Sequence, residues 1–179
     1  MRKFFLLILM LVCLVGHSQR YKTDSTFIRF FSDAPMEDIE AVNESASSII
    51  DVDKKSIVIV VPIKSFSFQK KLMQEHFNEN YLESDQFPNA IFKGKIQGWD
   101  GSSGEVEAIA KGTMEIHGVE HDCTISGTLR SVNQQVNLEA VFPIRLTDYD
   151  IKIPKAVFYK IAEEVEVTAK LQYKPYEKN

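Results

Sequence analysis

From Glu105 to Tyr173 the chain is made of stretches that alternate between apolar and polar side chains. Val106, Ala108, Ala110, Gly112, Met114 and Ile116 fall on one side, with Glu107, Lys111 and Glu115 on the other. After a turn over Gly118 to Glu120, Asp122 to Val132 sets Ile125, Gly127 and Leu129 against Thr124, Ser126 and Thr128. Asn133-Gln134 is the next turn. Gln135 to Leu146 then aligns Val136, Leu138, Ala140, Phe142, Ile144 and Leu146. Asp148 to Tyr159 is a long connection containing Pro154. Glu164 to Tyr173 returns with Val165, Val167, Ala169, Leu171 and Tyr173 against Glu166, Thr168, Lys170 and Gln172. A period of two is a strand with one buried face. Short turns make such strands antiparallel neighbours. Closing the sheet removes its edges, and about eight strands leave room inside for one small ligand.

The first half is less regular. Tyr21 to Phe31 reads as a strand with apolar residues on both faces, broken by Ser32-Asp33-Ala34-Pro35. Met36 to Ile39 can open one helical turn, and Ala46 to Val52 is a strand. Lys54-Lys55 is a turn. Ser56 to Pro62 (S-I-V-I-V-V-P) is nearly continuously β-branched, so a strand buried on both faces, or covered by a helix, is expected. Leu72, Met73, His76, Phe77 and Asn80 or Tyr81 then recur at helical spacing. Pro88 forbids a helix through Phe87, because the residue before proline is pushed towards extended geometry. Alternation resumes with Ala90, Phe92, Gly94 and Ile96 on one face and Ile91, Lys93 and Lys95 on the other. A short helical excursion therefore interrupts a mainly β chain. Gly98 to Gly104 is a turn, and its Trp99 is expected to plug a barrel end.

The segment around the excursion carries a resemblance. His76-Phe77, Phe87-Pro88 and Ala90-Ile91-Phe92 resemble a block of the YceI family. Gly112-Thr113-Met114-Glu115-Ile116-His117-Gly118-Val119 resembles that family's "G-x-L-x-I-x-G-V" hairpin. The resemblance implies a lipocalin-like antiparallel β-barrel that holds a polyisoprenoid lipid in a secreted or periplasmic protein. It also implies no resident cofactor, the lipid being a non-covalent ligand. The second strand lacks the glycines that members of the family often carry.

Side-chain size on the inward face is the second clue to function. Ala108, Ala110 and Gly112 follow one another, with Gly127, Ala90 and Gly94 on other strands. Such small residues either leave an apolar hollow or mark a pinch in the barrel. A hollow would suit a long apolar molecule, since each buried methylene contributes roughly 0.8 kcal/mol. With the resemblance, the expected cavity lining is Phe77, Phe87, Phe92, Ala108, Ala110, Met114, Leu138, Phe142 and Tyr149. Asp148-Tyr149-Asp150 orders the long connection or lines the cavity mouth. His76 is expected to fix the helix over the barrel through a backbone carbonyl or a carboxylate such as Asp85.

Arg2 and Lys3, the apolar run Phe4 to Val15 and Gly16-His17-Ser18 read as a signal peptide over residues 1–18, leaving 19–179 as the barrel domain. Val12 before Cys13 speaks against a lipid anchor. Removing residues 1–18 takes two cations and no carboxylate, so 21 Lys+Arg become 19 against 25 Asp+Glu, a charge of −6. That argues against nucleic acid as a partner, since phosphate neutralisation needs clustered Lys and Arg, and speaks against electrostatic docking on an anionic membrane. Cys123 is left alone and makes no internal disulfide. His117 and His121 flank a turn, but a polar hairpin end exposes them, so no metal site is assigned. No phosphate loop, nucleophile elbow or Cys-x-x-Cys appears, and no catalytic residue is assigned. Outward charges on several strands speak against an integral membrane barrel. The main alternative to a lipid carrier is a filled barrel acting through its surface. Leader removal predicts Gln19 as the first residue of the exported chain, which N-terminal sequencing checks.

Overall fold

In this computed structural model, which describes residues 19–33, 38–153 and 162–176, the alternating stretches fold as strands. They are β1 (Arg20–Ser32), β2 (Ile39–Asn43), β3 (Ser47–Asp51), β4 (Ser56–Pro62) and β5 (Ser67–Phe68). Helix α1 (Lys71–His76) follows, then β6 (Asn89–Gln97), β7 (Gly104–Ile116), β8 (Val119–Val132), β9 (Gln135–Arg145) and β10 (Glu164–Pro175). Eight of the strands form a closed antiparallel ring in the order β1, β3, β4, β6, β7, β8, β9, β10. The ring closes where β10 pairs with β1, from Tyr21 opposite Pro175 to Phe31 opposite Glu166.

Both β2 and β3 lie against β1 in a single register, Ile28 opposite Asn43 and Tyr21 opposite Ile50. They are one strand interrupted at residues 44–46. Side chains replace the missing ladder there. The Ser45 N–H donates to the Asn43 side chain at 2.8 Å, which itself donates to the Pro62 carbonyl at 2.8 Å. Thr26 donates to the Ala46 carbonyl, and the Ser48 N–H donates to Thr23. Asn43 is fully buried and satisfied on both sides. A turn of 3-10 helix over Ile63–Ser65 likewise separates β4 from β5, so β2 and β5 pair with each other at one end of the barrel.

The helical spacing yields α1 and a π-helical turn, Phe77–Tyr81, ending at buried Leu82. No residue of α1 itself is fully buried. The one helical turn expected to open over Met36 to Ile39 falls partly outside the described residues, and Ile39 begins a strand. The turn between β7 and β8 is tighter than expected. His117 and Gly118 alone make it, both at positive φ, the geometry of a two-residue hairpin turn. Val119 and Glu120 already pair with Ile116 and Glu115.

The register places the β3–β4 turn, the Gln97–Gly104 loop and the β8–β9 turn at one end. Helix α1, the β7–β8 hairpin tip and the β9–β10 connection lie at the other. The first end is solid. Trp99 is buried, packs 6.2 Å from the Tyr21 ring and donates to the Ser102 carbonyl, so it is the plug the sequence suggested. Tyr173 is fully buried and donates to Ser48 at 2.9 Å, and burial pushes its phenol pKa up. Among the described residues no helix is long and apolar enough to cross a membrane.

One expectation fails. Strand β4 is buried on one face only: Ile57, Ile59 and Val61 turn inward, and Val58 is exposed on the outer wall. No helix covers that wall among the described residues, so the β-branched run there reflects strand propensity rather than two-sided burial. Trp99→Ala should cost about 3 kcal/mol, the usual result of emptying a buried aromatic site. A lower denaturant midpoint with an unchanged m-value checks this.

Candidate functional site

The interior above the plug is hollow. A cavity of about 490 Å³ runs through the barrel towards α1, within the range that small-molecule sites occupy. Its walls come from every strand of the ring except β3, and from α1 with the π-turn behind it. Nearly all are apolar. Ser32, Lys70, His76, Tyr81 and Thr128 are the polar exceptions, and no carboxylate or thiol lines it among the described residues. Burial pushes the Tyr81 phenol up, so it stays protonated at neutral pH. Such an interior has little to offer a charged or hydrogen-bonding molecule and offers dispersion contacts along its length.

Of the nine expected lining residues, seven meet here: Phe77, Phe92, Ala108, Ala110, Met114, Leu138 and Phe142. The sequence-level reading missed the contributions of Phe30, Phe66 and Tyr81. Apolar residues on both faces of β1 hid which face Phe30 takes. Four rings, Phe30, Phe66, Phe68 and Phe77, cluster at this end with centroids 4.9 to 5.7 Å apart. Phe30 and Phe77 stack, which docks the π-turn onto β1.

Phe87 and Tyr149 are corrections. Neither lines the cavity. Phe87 packs edge-on against His117, ring centroids 4.7 Å apart, and Tyr149 packs against His121. Tyr149 is held this way because the 3-10 turn Leu146–Tyr149 ends in a left-handed Asp150 and folds back beside β8. Asp148-Tyr149-Asp150 therefore turns the chain back beside β8 and does not line the cavity. His117 joins three segments of this end. Its Nδ1–H donates to the Tyr149 carbonyl at 3.2 Å, and its Nε2 meets the Glu83 carboxylate at 2.9 Å. Among the described residues no group of three His, Cys, Asp or Glu side chains is arranged to hold a metal ion.

His76 is exposed at the cavity lip, and the carboxylate expected for it, Asp85, is paired with Lys64. The small-residue reading holds in part. Ala90, Ala108, Ala110, Gly127 and Ala140 do line the cavity. Gly94 and Gly112 do not. They face each other across β6 and β7, where a Cβ on Gly112 would lie 2.0 Å from the Lys93 carbonyl oxygen. A Cβ on Gly94 would meet the Phe92 ring at 2.6 Å. These glycines serve strand approach and ring placement rather than volume. Cys123 is half-buried, its thiol pushed up by burial and then by Asp122, which favours the protonated form.

The comparisons with known proteins fit this geometry. The YceI-like domain model matches residues 21–173. The chain belongs to the YceI-like family. A polyisoprenoid-binding domain from Saccharophagus degradans, implicated in plant cell wall breakdown, superposes with a TM-score of 0.76 at 16% identity. The match covers 87% of this chain and 98% of that one. Burkholderia cenocepacia BcnA gives 0.69 at 17% identity over 82% and 95% of the two chains. A YceI protein of Campylobacter jejuni gives 0.59 at 14% identity over 75% and 81%. At such identities the likeness establishes the shared YceI-like barrel and nothing finer. No curated protein matches the chain.

Burial first, then Cys123 and Asp148, push the Tyr149 phenol up to about 12. The folded chain then keeps a proton that an unfolded tyrosine releases near pH 10. Stability should therefore fall as pH rises from about 10 towards 12, with Tyr173 acting in the same direction. Tyr149→Phe should flatten that alkaline decline, read from melting temperature against pH.

Proposed function

We propose that this YceI-like protein binds a long apolar lipid, of isoprenoid type, inside its barrel and holds it without covalent change. One observation carries the reading: a closed barrel whose interior, above the packed end, is an apolar cavity of about 490 Å³. Protein interiors are otherwise close-packed, and an unfilled apolar cavity forfeits dispersion contacts along its walls. A long apolar ligand restores them. The Saccharophagus degradans domain, with the same fold, is a polyisoprenoid binder, which favours isoprenoid over acyl chains here. The leader-like residues 1–18 support action in the periplasm or outside the cell.

The polar groups on the walls support binding rather than catalysis. Ser32, Lys70, His76 and Tyr81 stand at or near the α1 end, where a lipid head would emerge, and apart from Thr128 the deeper walls are hydrocarbon. The filled-barrel alternative would need bulk across Ala108 and Ala110, and both instead face open volume. An integral membrane barrel would turn Glu107 and Lys111 of β7, and Glu166 and Lys170 of β10, towards lipid, which is costly at mid-depth. Ala110→Phe should weaken binding of a radiolabelled polyprenyl lipid at least tenfold while leaving the melting temperature within a few degrees. Unchanged binding would place the ligand elsewhere.

A further inference from the structure

The ring is zipped along only part of one seam. The β8–β9 ladder runs from Val132 opposite Gln135 to Gly127 opposite Ala140 and stops there. Both strands go on towards the α1 end, but with other partners. Among the described residues, 119–126 of β8 pair with β7 alone, as far as Val119 opposite Ile116. β9 continues along β10 as far as Arg145 opposite Glu164. The two strands part where they approach closely: a Cβ on Gly127 would lie 2.5 Å from the Glu139 carbonyl oxygen. From this fork an unzipped slot runs about 17 Å along β9, from Ala140 to Arg145, at roughly 3.4 Å per residue.

The slot borders the cavity and is stopped by one turn of chain. Ile125 on one bank, and Phe142 and Ile144 on the other, line the cavity, and all three are only half-buried. Residues 146–151 fold back beside β8. Leu146 and Ile151 face the cavity, while buried Tyr149 sets its ring against His121 of β8. The turn is bonded within itself, the Ile151 N–H to the Leu146 carbonyl at 3.1 Å and the Asp150 N–H to the Thr147 carbonyl at 3.3 Å. The Leu146 N–H donates to the Glu163 carbonyl at 2.9 Å, which ties its start to the chain entering β10. Towards β7 and β8 no backbone hydrogen bond holds it among the described residues. There it has the Tyr149 ring and the bond from His117 Nδ1–H to the Tyr149 carbonyl at 3.2 Å, with Glu83 steadying the imidazole at 2.9 Å. Segments held by so few bonds open locally at far less than the cost of global unfolding.

We propose that the slot between β8 and β9 is the portal by which the apolar chain enters and leaves the barrel, with residues 146–151 as its gate and His117 as the latch. The proposal rests on the lipid-binding reading above. Trp99 plugs the far end, so the cavity is blind. A long chain fed in end-on would have to thread past α1 and drive the cavity water back through the same mouth. On the β1 side that mouth is roofed by the interlocked rings of Phe30, Phe66 and Phe77. A slot down the wall removes both obstacles. The chain slips in sideways between apolar banks while water leaves over the mouth. The turn then folds back, and Tyr149 restores the wall. The gate is shut in the empty and the loaded barrel alike, so it sets how fast lipid exchanges and not how tightly it is held.

The test is the rate at which a radiolabelled polyprenyl lipid exchanges between phosphatidylcholine vesicles and the chain recovered from a bacterial periplasm. A second readout is the rate at which a maleimide labels Cys123, mapped by mass spectrometry. That thiol is half-buried at the slot and near enough to the Tyr149 phenol to bear on its ionisation. Tyr149→Ala removes the ring that stops the slot. His117→Asn removes the latch with a residue that tolerates the positive φ there. Each should speed lipid exchange and Cys123 labelling at least tenfold at unchanged affinity. Tyr149→Phe keeps the ring and the carbonyl and should match the parent in both. A short bis-maleimide joining Cys123 to the thiol of the Tyr149→Cys variant should slow exchange at least tenfold below the parent. Labelling at the parental rate in both opened variants overturns the gate. Faster labelling with parental lipid exchange, or undiminished exchange in the cross-linked protein, overturns the portal and leaves the lipid reading standing. A parent with no affinity for the polyprenyl lipid would overturn both.

Discussion

Closure of the sheet by β1 against β10 is the constraint from which the rest follows. Once those strands pair, eight strands share a single interior, and every inward side chain must be accommodated there. At one end bulk fills it, with Trp99, Tyr21, Leu171 and Tyr173 buried together. Towards α1 the walls hold Ala108, Ala110, Gly127 and Ala140, and the ring cannot collapse to fill the space they leave. The cavity is thus a consequence of topology plus side-chain size. The aromatic cluster around Phe77 and the His117 contacts then fix the segments that border its α1 end.

Most of the ring was legible because period-two alternation is a direct trace of one-sided burial. β7, β8, β9 and β10 follow it with little loss, and the helical spacing of Leu72, Met73, His76 and Phe77 marked the excursion. What the pattern could not reveal is where a strand is interrupted without losing register. β2 and β3 are one partner of β1 broken at residues 44–46, and the break is held by Asn43, Thr26 and Thr23, residues with no apolar signature. The site was legible to the same extent. Phe92, Met114, Leu138 and Phe142 sit on alternating strands, so their direction could be read. Phe87 and Tyr149 sit in connections, where no period fixes direction, and both pack beside histidines away from the cavity. Glycine was ambiguous for another reason. The absence of a side chain can mean empty volume or close backbone approach: a Cβ on Gly112 would lie 2.0 Å from the Lys93 carbonyl oxygen, and one on Gly127, which does border the cavity, 2.5 Å from the Glu139 carbonyl oxygen.

The two faces of the strands differ in chemistry. Inward positions set what the barrel holds, and they are almost wholly hydrocarbon. Outward positions face solvent and carry both signs of charge, as Glu107 and Lys111 do on β7. Lys93 and Lys95 on β6 and Lys111 on β7 are exposed, and Phe92 and Met114 on the same strands wall the cavity.

The central claim is that the cavity holds a long apolar lipid. Native mass spectrometry of the chain, recovered from a bacterial periplasm without detergent, tests it most directly. The account predicts a protein–lipid adduct that organic solvent extracts, with a mass that fits a polyprenyl chain. A bare protein mass, with no adduct after polyprenyl lipid is supplied, would contradict it.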